Sequence, residues 1–266
     1  MTEKPLADRV VVIIGGTTGL GLSAARAILE AGAKGVVVTS HDRAGTEAAV
    51  AQLGTSAVAH VGDAMEPDHA AGAIALALER FGAFHGLYHV AGGSGRRFGD
   101  GPLHEVSDEA VSATLALNLN SVIFSNRAAV RQFLAQKSGG AIVNVASVLA
   151  WSPSPQYFST HVYAAAKAGV VGFSKSIASY YAAHGIRSNV IAPGLVETPM
   201  ARRAAGNADV LKFIATKQPL DGGRIGKPDD CDAAVVYLLS DGSRFVTGQV
   251  LAIDGGWTIS DGQVFP

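Results

Sequence analysis

The chain has 266 residues, of which 48% are hydrophobic and 16% charged, and its formal net charge is -1. That length suffices for one large domain with a substantial core, and the charge balance excludes the basic surplus that nucleic acid or an anionic membrane would demand of a partner. A single cysteine, Cys231, excludes a disulfide framework and a cysteine zinc cluster, which suits a reducing cytoplasm. The opening stretch MTEKPLADR is too charged for the apolar part of a signal peptide, and no run of about 18 apolar residues follows. A soluble cytoplasmic protein is therefore expected.

In chain order, short runs rich in β-branched residues fall at 10–14, 35–39, 56–60, 86–90, 141–145, 187–191 and 250–253. Longer alanine-rich segments of helical period separate them. Near-continuous apolar runs of this length signal parallel strands covered on both faces. The predicted fold is α/β: a doubly wound Rossmann-type parallel sheet with helices on both faces, in one domain over 1–266. Two segments interrupt the alternation, 92–102 and 198–226. Both follow strand ends on the side of the sheet where such folds bind ligands, so they are candidate substrate walls, the second a lid.

After the first run comes GGTTGLGLSAARAILEAG, with Gly15, Gly19 and Gly21 in a strand-to-helix turn and a helix expected over 20–31. Such a turn lets the backbone approach a pyrophosphate, which then meets the N–H groups and positive dipole of the helix N-terminus. A tight turn with glycines for packing is the plainer reading of the same residues. No Gly-Lys-Ser/Thr follows, which disfavours a P-loop.

Further along, THVYAAAKAGV places Tyr163 and Lys167 four residues apart, on one face of a helix. Upstream lie Ser147, at the end of the run 141–145, and Asn118 in LALNLNSV. Each alone has a structural explanation, Ser147 as a turn serine and Asn118 as a helix kink or cap. Glycine turn, Asn118, Ser147, Tyr163 and Lys167 in this order resemble the short-chain dehydrogenase/reductase superfamily, in its compact single-domain branch. The resemblance extends through IRSNVIAPGLVETPM and VTGQVLAIDGGW and covers nearly the whole chain.

The resemblance implies an NAD(P)-dependent oxidoreductase that interconverts a secondary alcohol and a ketone. Tyr163 would be the general acid/base, Ser147 a hydrogen-bond donor to the substrate oxygen, Lys167 a tuning cation that also binds the nicotinamide ribose, and Asn118 the holder of a relay water. It further implies cofactor contacts at Gly15, Thr17, Thr18, Gly19, Leu20 and Gly21. Asp63 and Ala64 would lie at the adenine, and Ala91, Gly92, Pro193, Gly194, Val196 and Thr198 toward the nicotinamide. In the family the helices matching 118–137 and 160–184 build a homotetramer, with a homodimer as the smaller alternative. The same cleft could serve a regulatory protein that senses NADP(H) without turnover, or a lyase or epimerase that uses bound cofactor transiently.

Three departures stand out. Ile14 replaces a usual threonine, and HVAG (89–92) replaces Asn-Asn-Ala-Gly, so that Val90 lacks the hydrogen bonds of the usual asparagine. That puts local order at the adenosine and the central sheet, though not the chemistry, in question. The interval from Ser147 to Tyr163 is a few residues longer than usual owing to SPSPQYFSTH, which should reshape the substrate pocket; its Tyr157 and His161 could line that pocket or simply decorate its rim.

The second run ends in VVTSHDRAG, where NAD enzymes place a carboxylate for the ribose hydroxyl and NADP enzymes a base for its phosphate. Ser40 stands at the acidic position, followed by His41 and Arg43, which favours NADP(H) over NAD(H); Asp42 is the contrary sign. Arg96, Arg97, Arg202 and Arg203 could hold a substrate carboxylate or phosphate, or sit solvated at the rim, and the substrate expected is a polar hydroxy or keto compound such as an anionic sugar derivative. The histidines, His85 and His89 included, lack a third ligand nearby, so no metal is expected.

Overall fold

Alternate residues of the first strand, β1 (Val10–Ile14), face opposite sides of the sheet, and both sides are dry. Val11 and Ile13 pack with the helix α1 (Gly19–Glu30), while Val10, Val12 and Ile14 pack on the other face. That is why the strand reads as an unbroken apolar run. The computed structural model describes residues 4–262.

The chain continues through β2 (Gly35–Ser40), α2 (Arg43–Leu53), β3 (Ala57–Val61), α3 (His69–Phe81) and β4 (Gly86–His89). Then come α4 (Asp108–Leu115), α5 (Ser121–Gln136), β5 (Gly140–Val145), α6 (His161–Tyr181), β6 (Ile186–Pro193), α7 (Arg202–Ala205), α8 (Ala208–Lys217), α9 (Asp232–Leu239) and β7 (Val250–Ile253). The strands form one parallel sheet in the order β3-β2-β1-β4-β5-β6-β7. From β1 the chain winds outward to β3, crosses back, and winds outward the other way from β4. The carboxyl ends of β1 and β4 therefore part at a switch point, and a crevice opens there.

Residues of α1 and α9 cover one face and those of α3 and α5 the other, where Phe84 and Phe133 stack with ring centroids 4.7 Å apart. A third cluster joins α5, α6 and β6 through Val122, Val170 and Val190. Among the described residues, no helix is long and apolar enough to cross a membrane.

The differences from expectation have local causes. β4 stops at His89, one residue early, because the N–H groups of Val90 and Ala91 both turn to the Ile14 carbonyl. β6 runs on to Pro193 because it pairs with β5 over its first part and with β7 over its last. α1 starts at Gly19 and ends at Glu30, one residue ahead of expectation at each end. The helix expected over 118–137 corresponds to α5, which begins at Ser121 because a single π turn, Ala116–Asn120, precedes it and joins it to α4.

The order that Val90 cannot supply comes from its neighbour. His89 is 1% exposed; its Nδ1 lies 2.7 Å from the Ser125 hydroxyl and its Nε2 lies 3.2 Å from the Ala91 carbonyl and 3.4 Å from Ser121 Oγ. One imidazole thus ties the end of β4 to α5. Burial, with the Lys167 charge adding to it, pushes this imidazole down from 6.5 to about 3. As the pH falls below 6.5 the unfolded chain takes up a proton that folded His89 refuses, so stability drops between 6.5 and about 3 by up to about 1.4 kcal/mol per pH unit. Urea denaturation at a series of pH values should find a shallower acid loss for His89→Asn than for the parent chain; equal slopes would show that His89 titrates normally.

Candidate active site

At the switch point the chain lines a cleft of about 750 Å³. Its glycine turn has the shape the spacing suggested. Gly15 and Gly19 take positive φ values of 90° and 49°, and a Cβ at Gly15 would stand 2.7 Å from the Ala91 nitrogen. The turn is pinned to β2, where Gly15 and Gly16 donate to the Thr39 carbonyl. The first turn of α1 holds no acidic residue, and the Thr18 side chain makes no capping bond, so this helix end is left open to an anion.

Gly15, Thr17, Thr18, Gly19 and Leu20 line the cleft, as do Ser40, His41, Asp63 and Ala64. So do Ala91, Gly92, Pro193, Gly194, Val196 and Thr198, with Ala91 packed against Gly15 and Thr198 beside Gly19. Gly21 does not; it packs beneath the turn against the Gly15 carbonyl and the Val90 side chain, the packing role. Arg43 does not either: its guanidinium points to Glu47 at 3.8 Å on the outer face of α2. Asp42 is turned away too, over Gly45 at the start of that helix. The strand tip therefore presents Ser40 and His41 without a carboxylate. A groove with an open helix end, backbone laid bare by glycine and a side-chain tip at β2 fits an elongated dinucleotide.

Past the end of β5, Ser147 accepts a hydrogen bond from Leu149 N at 3.2 Å, which leaves its hydroxyl proton for the Tyr163 oxygen. Tyr163 and Lys167 come in from α6. The Lys167 ammonium is buried, donates to the Val145 carbonyl at 2.8 Å and lies 5.7 Å from the Tyr163 ring centroid. Burial brings this ammonium down to about 8 and pushes the Tyr163 phenol up to about 12, with a hydrogen bond from Ser147 pulling the phenol the other way.

Asn118 stands one layer behind. The widened π turn aims its Oδ1 at the Gly93 N–H, 3.0 Å away, while its Nδ2 donates to the Thr114 carbonyl at 3.0 Å. Gly92 separates it from Lys167: a Cβ there would lie 3.1 Å from Asn118 Oδ1 and 3.5 Å from Lys167 Nζ. The arrangement holds a phenol, a hydroxyl and an ammonium around one point at which an oxygen could gain or lose a proton.

A family model described as enoyl-(acyl carrier protein) reductase matches residues 15–258. The cis-4-hydroxycyclohexanecarboxylate dehydrogenase of Sinomonas cyclohexanicum is 36% identical over 96% of this chain and 98% of its own length. The chain belongs to the short-chain dehydrogenase/reductase family, and it is an oxidoreductase. The NAD(P)(+) L-rhamnose 1-dehydrogenase of Azotobacter vinelandii is 33% identical over 94% of the chain and 97% of its own. The crystal structure of a 3-ketoacyl-(acyl-carrier-protein) reductase from Brucella melitensis, complexed with NADH, superposes with a TM-score of 0.83 at 28% identity, covering 96% of this chain and 100% of that one.

On this short-chain dehydrogenase/reductase scaffold, the substrate side holds features that local pattern does not announce. The segment 152–161 contributes Phe158 and Thr160 to the cleft, while Tyr157 packs on Phe213 instead and His161 is exposed. Phe158 meets Trp257 edge-on at 5.5 Å, and the indole N–H donates to the Ser152 carbonyl, which makes Trp257 the buried floor. The excursion over 198–226 is closed at its base by a bridge between Val196 and Gly226. Trp257, at the end of VTGQVLAIDGGW, had no motif to mark it as a pocket wall.

Nor did Asp100. This 2% exposed carboxylate accepts from Val162 N at 3.1 Å and Tyr163 N at 2.8 Å, and so caps α6 from 62 residues away, where Thr160 makes no side-chain cap. The short-chain dehydrogenase/reductase helix that bears Tyr163 and Lys167 is thereby anchored to the loop after β4. Asp100→Ala should lower stability by about 1–2 kcal/mol through two orphaned N–H groups. Chemical denaturation checks this, and an unchanged midpoint would mean that those donors find other partners.

Proposed function

We propose that this oxidoreductase interconverts a secondary alcohol and a ketone with a nicotinamide cofactor, Tyr163 being the general acid/base. The convergence of Tyr163, Ser147 and Lys167 beside the glycine-lined groove carries the reading. When bound, the nicotinamide supplies or accepts the hydride. Gly15, Thr17, Thr18, Gly19 and Leu20 would hold the pyrophosphate, Asp63 and Ala64 the adenosine, and Ala91, Gly92, Pro193, Gly194, Val196 and Thr198 the nicotinamide half, with Lys167 reaching the ribose.

Ser147 donates to the substrate oxygen and stabilises its alkoxide character, while Tyr163 exchanges a proton with that same oxygen. Asn118 has a second lone pair on Oδ1 and passes protons from Lys167 to solvent through water. In ketone reduction Tyr163 acts as the neutral phenol it already is. In alcohol oxidation it must accept a proton, and bringing a phenol from about 12 to near 7 takes about 7 kcal/mol of added phenolate stabilisation. The Lys167 ammonium supplies part of this and the charge of an oxidised nicotinamide another part.

Ser40 and His41 at the tip of β2, with Asp42 turned outward, support NADP(H) over NAD(H). The apolar lobe under 198–226, which we read as a lid, suits a small cyclic alcohol or ketone. The names of the Sinomonas and Azotobacter relatives, a hydroxycyclohexane and a sugar dehydrogenase, agree with that class. A homotetramer built through the outer faces of α5 and α6 belongs to the same reading, as does work on small molecules in the cytoplasm.

Tyr163→Phe should abolish alcohol oxidation while cofactor affinity stays within about twofold; near-parental turnover would sink the assignment. Oxidation by the parent chain should rise with pH between about 6 and 8 as phenolate becomes available, with ketone reduction flat or falling over that range. Thermal-shift titration should stabilise the fold by about 2.7 kcal/mol with NADPH at roughly 100 times its dissociation constant. A shift with NADH alone would overturn the cofactor preference.

A further inference from the structure

Two guanidinium groups from different loops meet on one carbonyl at the substrate lobe. Arg96 sits in the 3-10 turn Gly95–Phe98 after β4, and Arg203 in α7. Both line the cleft, and each donates from Nη2 to the carbonyl of Tyr157, at 3.2 and 3.3 Å. Each guanidinium carries five N–H donors, and the carbonyl takes up one from each. The two like charges are thus held side by side by one neutral acceptor.

No Asp or Glu among the described residues comes within ion-pair distance of either group. Asp100 is near enough for its charge to favour protonated Arg96, but both of its oxygens are engaged by the backbone of α6. Arginines elsewhere are accounted for differently: Arg9 reaches Asp241, Arg224 reaches Asp221 and Asp230, and Arg97 lies over the Phe98 ring. Partial burial, and then the Arg203 charge, weaken the hold of Arg96 on its own proton. Holding two cations together is unfavourable unless an anion joins them.

The surroundings define what kind of anion. Val148, Leu149, Phe158, Met200 and Trp257 make the adjoining lobe apolar. This site lies on the substrate side, whereas Ser40 and His41 occupy the opposite end of the cleft, so a ribose phosphate is not what it would meet. We propose that Arg96 and Arg203 form a carboxylate clamp, and that the substrate is a ketone or secondary alcohol with a compact apolar body and a carboxylate remote from the reacting carbon. The planar guanidinium fork matches a carboxylate in geometry as well as charge. The inference rests on the reading of this lobe as the substrate side of a hydride-transfer cleft.

The test uses two probes of one shape, 4-oxocyclohexanecarboxylate and the neutral 4-oxocyclohexanecarboxamide, titrated calorimetrically into the full chain saturated with oxidised cofactor so that nothing turns over. The carboxylate should bind at least about tenfold more tightly than the amide, and the ratio should fall toward one in both Arg96→Ala and Arg203→Ala. A retained thermal shift with cofactor verifies that each variant is folded. Equal affinities in the parent chain, a ratio that survives both substitutions, or no binding of either probe would each overturn the clamp. Turnover with reduced cofactor separates the two readings. Reduction of the amide as readily as the carboxylate removes the clamp and leaves the oxidoreductase mechanism standing. Selective carboxylate binding with no reduction of either probe removes the mechanism and leaves the clamp.

Discussion

Lys167 carries its ammonium group into surroundings that leave the residue 4% exposed, with the Val145 carbonyl as its hydrogen-bond partner and no carboxylate among the described residues within ion-pair reach. A cation in that position is costly, and burial draws its pKa down to about 8. Much of the local structure answers to it. Residue 92 is glycine where a side chain would press on both Asn118 and the ammonium. The π turn swings Asn118 behind that glycine. His89, under the same charge and fully buried, stays neutral and can knit β4 to α5 without adding a second cation. Tyr163, one helical turn from Lys167, is the neighbour able to acquire the opposite charge.

The two halves of the cleft are built by different means. At the glycine turn the construction is local: one strand, one turn and one helix, with glycines at the positions where the backbone must turn or be laid bare. The substrate half is assembled from the loop after β4, the segment 152–161, the excursion 198–226 and Trp257 near the end of the described chain. Asp100 ties the substrate half to α6, because its carboxylate spans from the loop that bears Arg96 to the helix that bears Tyr163. A shift of that loop would be felt at α6 as a change in its N-terminal cap.

This division explains what could be read in the sequence. The strands were legible because burial on both faces leaves little but β-branched and small residues; β4 falls one residue short where the Ile14 carbonyl ends its pairing, and β6 overruns where β7 extends it. The glycine turn and the order of Asn118, Ser147, Tyr163 and Lys167 were legible because such features recur at fixed places in a shared scaffold. The direction of a side chain at a strand tip was not: Ser40, His41, Asp42 and Arg43 are consecutive, yet the first two face the cleft and the other two do not. Composition around the turn is the same whichever way it rolls. His89 read as a histidine without a third ligand, and its place as the substitute for a missing asparagine amide appears only once Ser125 and Ser121 are brought against it.

Arginine pairs show the same limit in sharper form. Adjacent in sequence are Arg96 with Arg97 and Arg202 with Arg203, but the pair that meets in space takes one member from each, joined through the carbonyl of Tyr157. Neighbours in a 3-10 turn or an α-helix diverge, so these consecutive charges point apart, whereas two segments that line a common pocket can aim single residues at one point. The carbonyl that gathers them is that of Tyr157, in the segment 152–161. Its backbone presents one acceptor that holds the two cations together at the cleft, and the charge pattern there follows from that single peptide group.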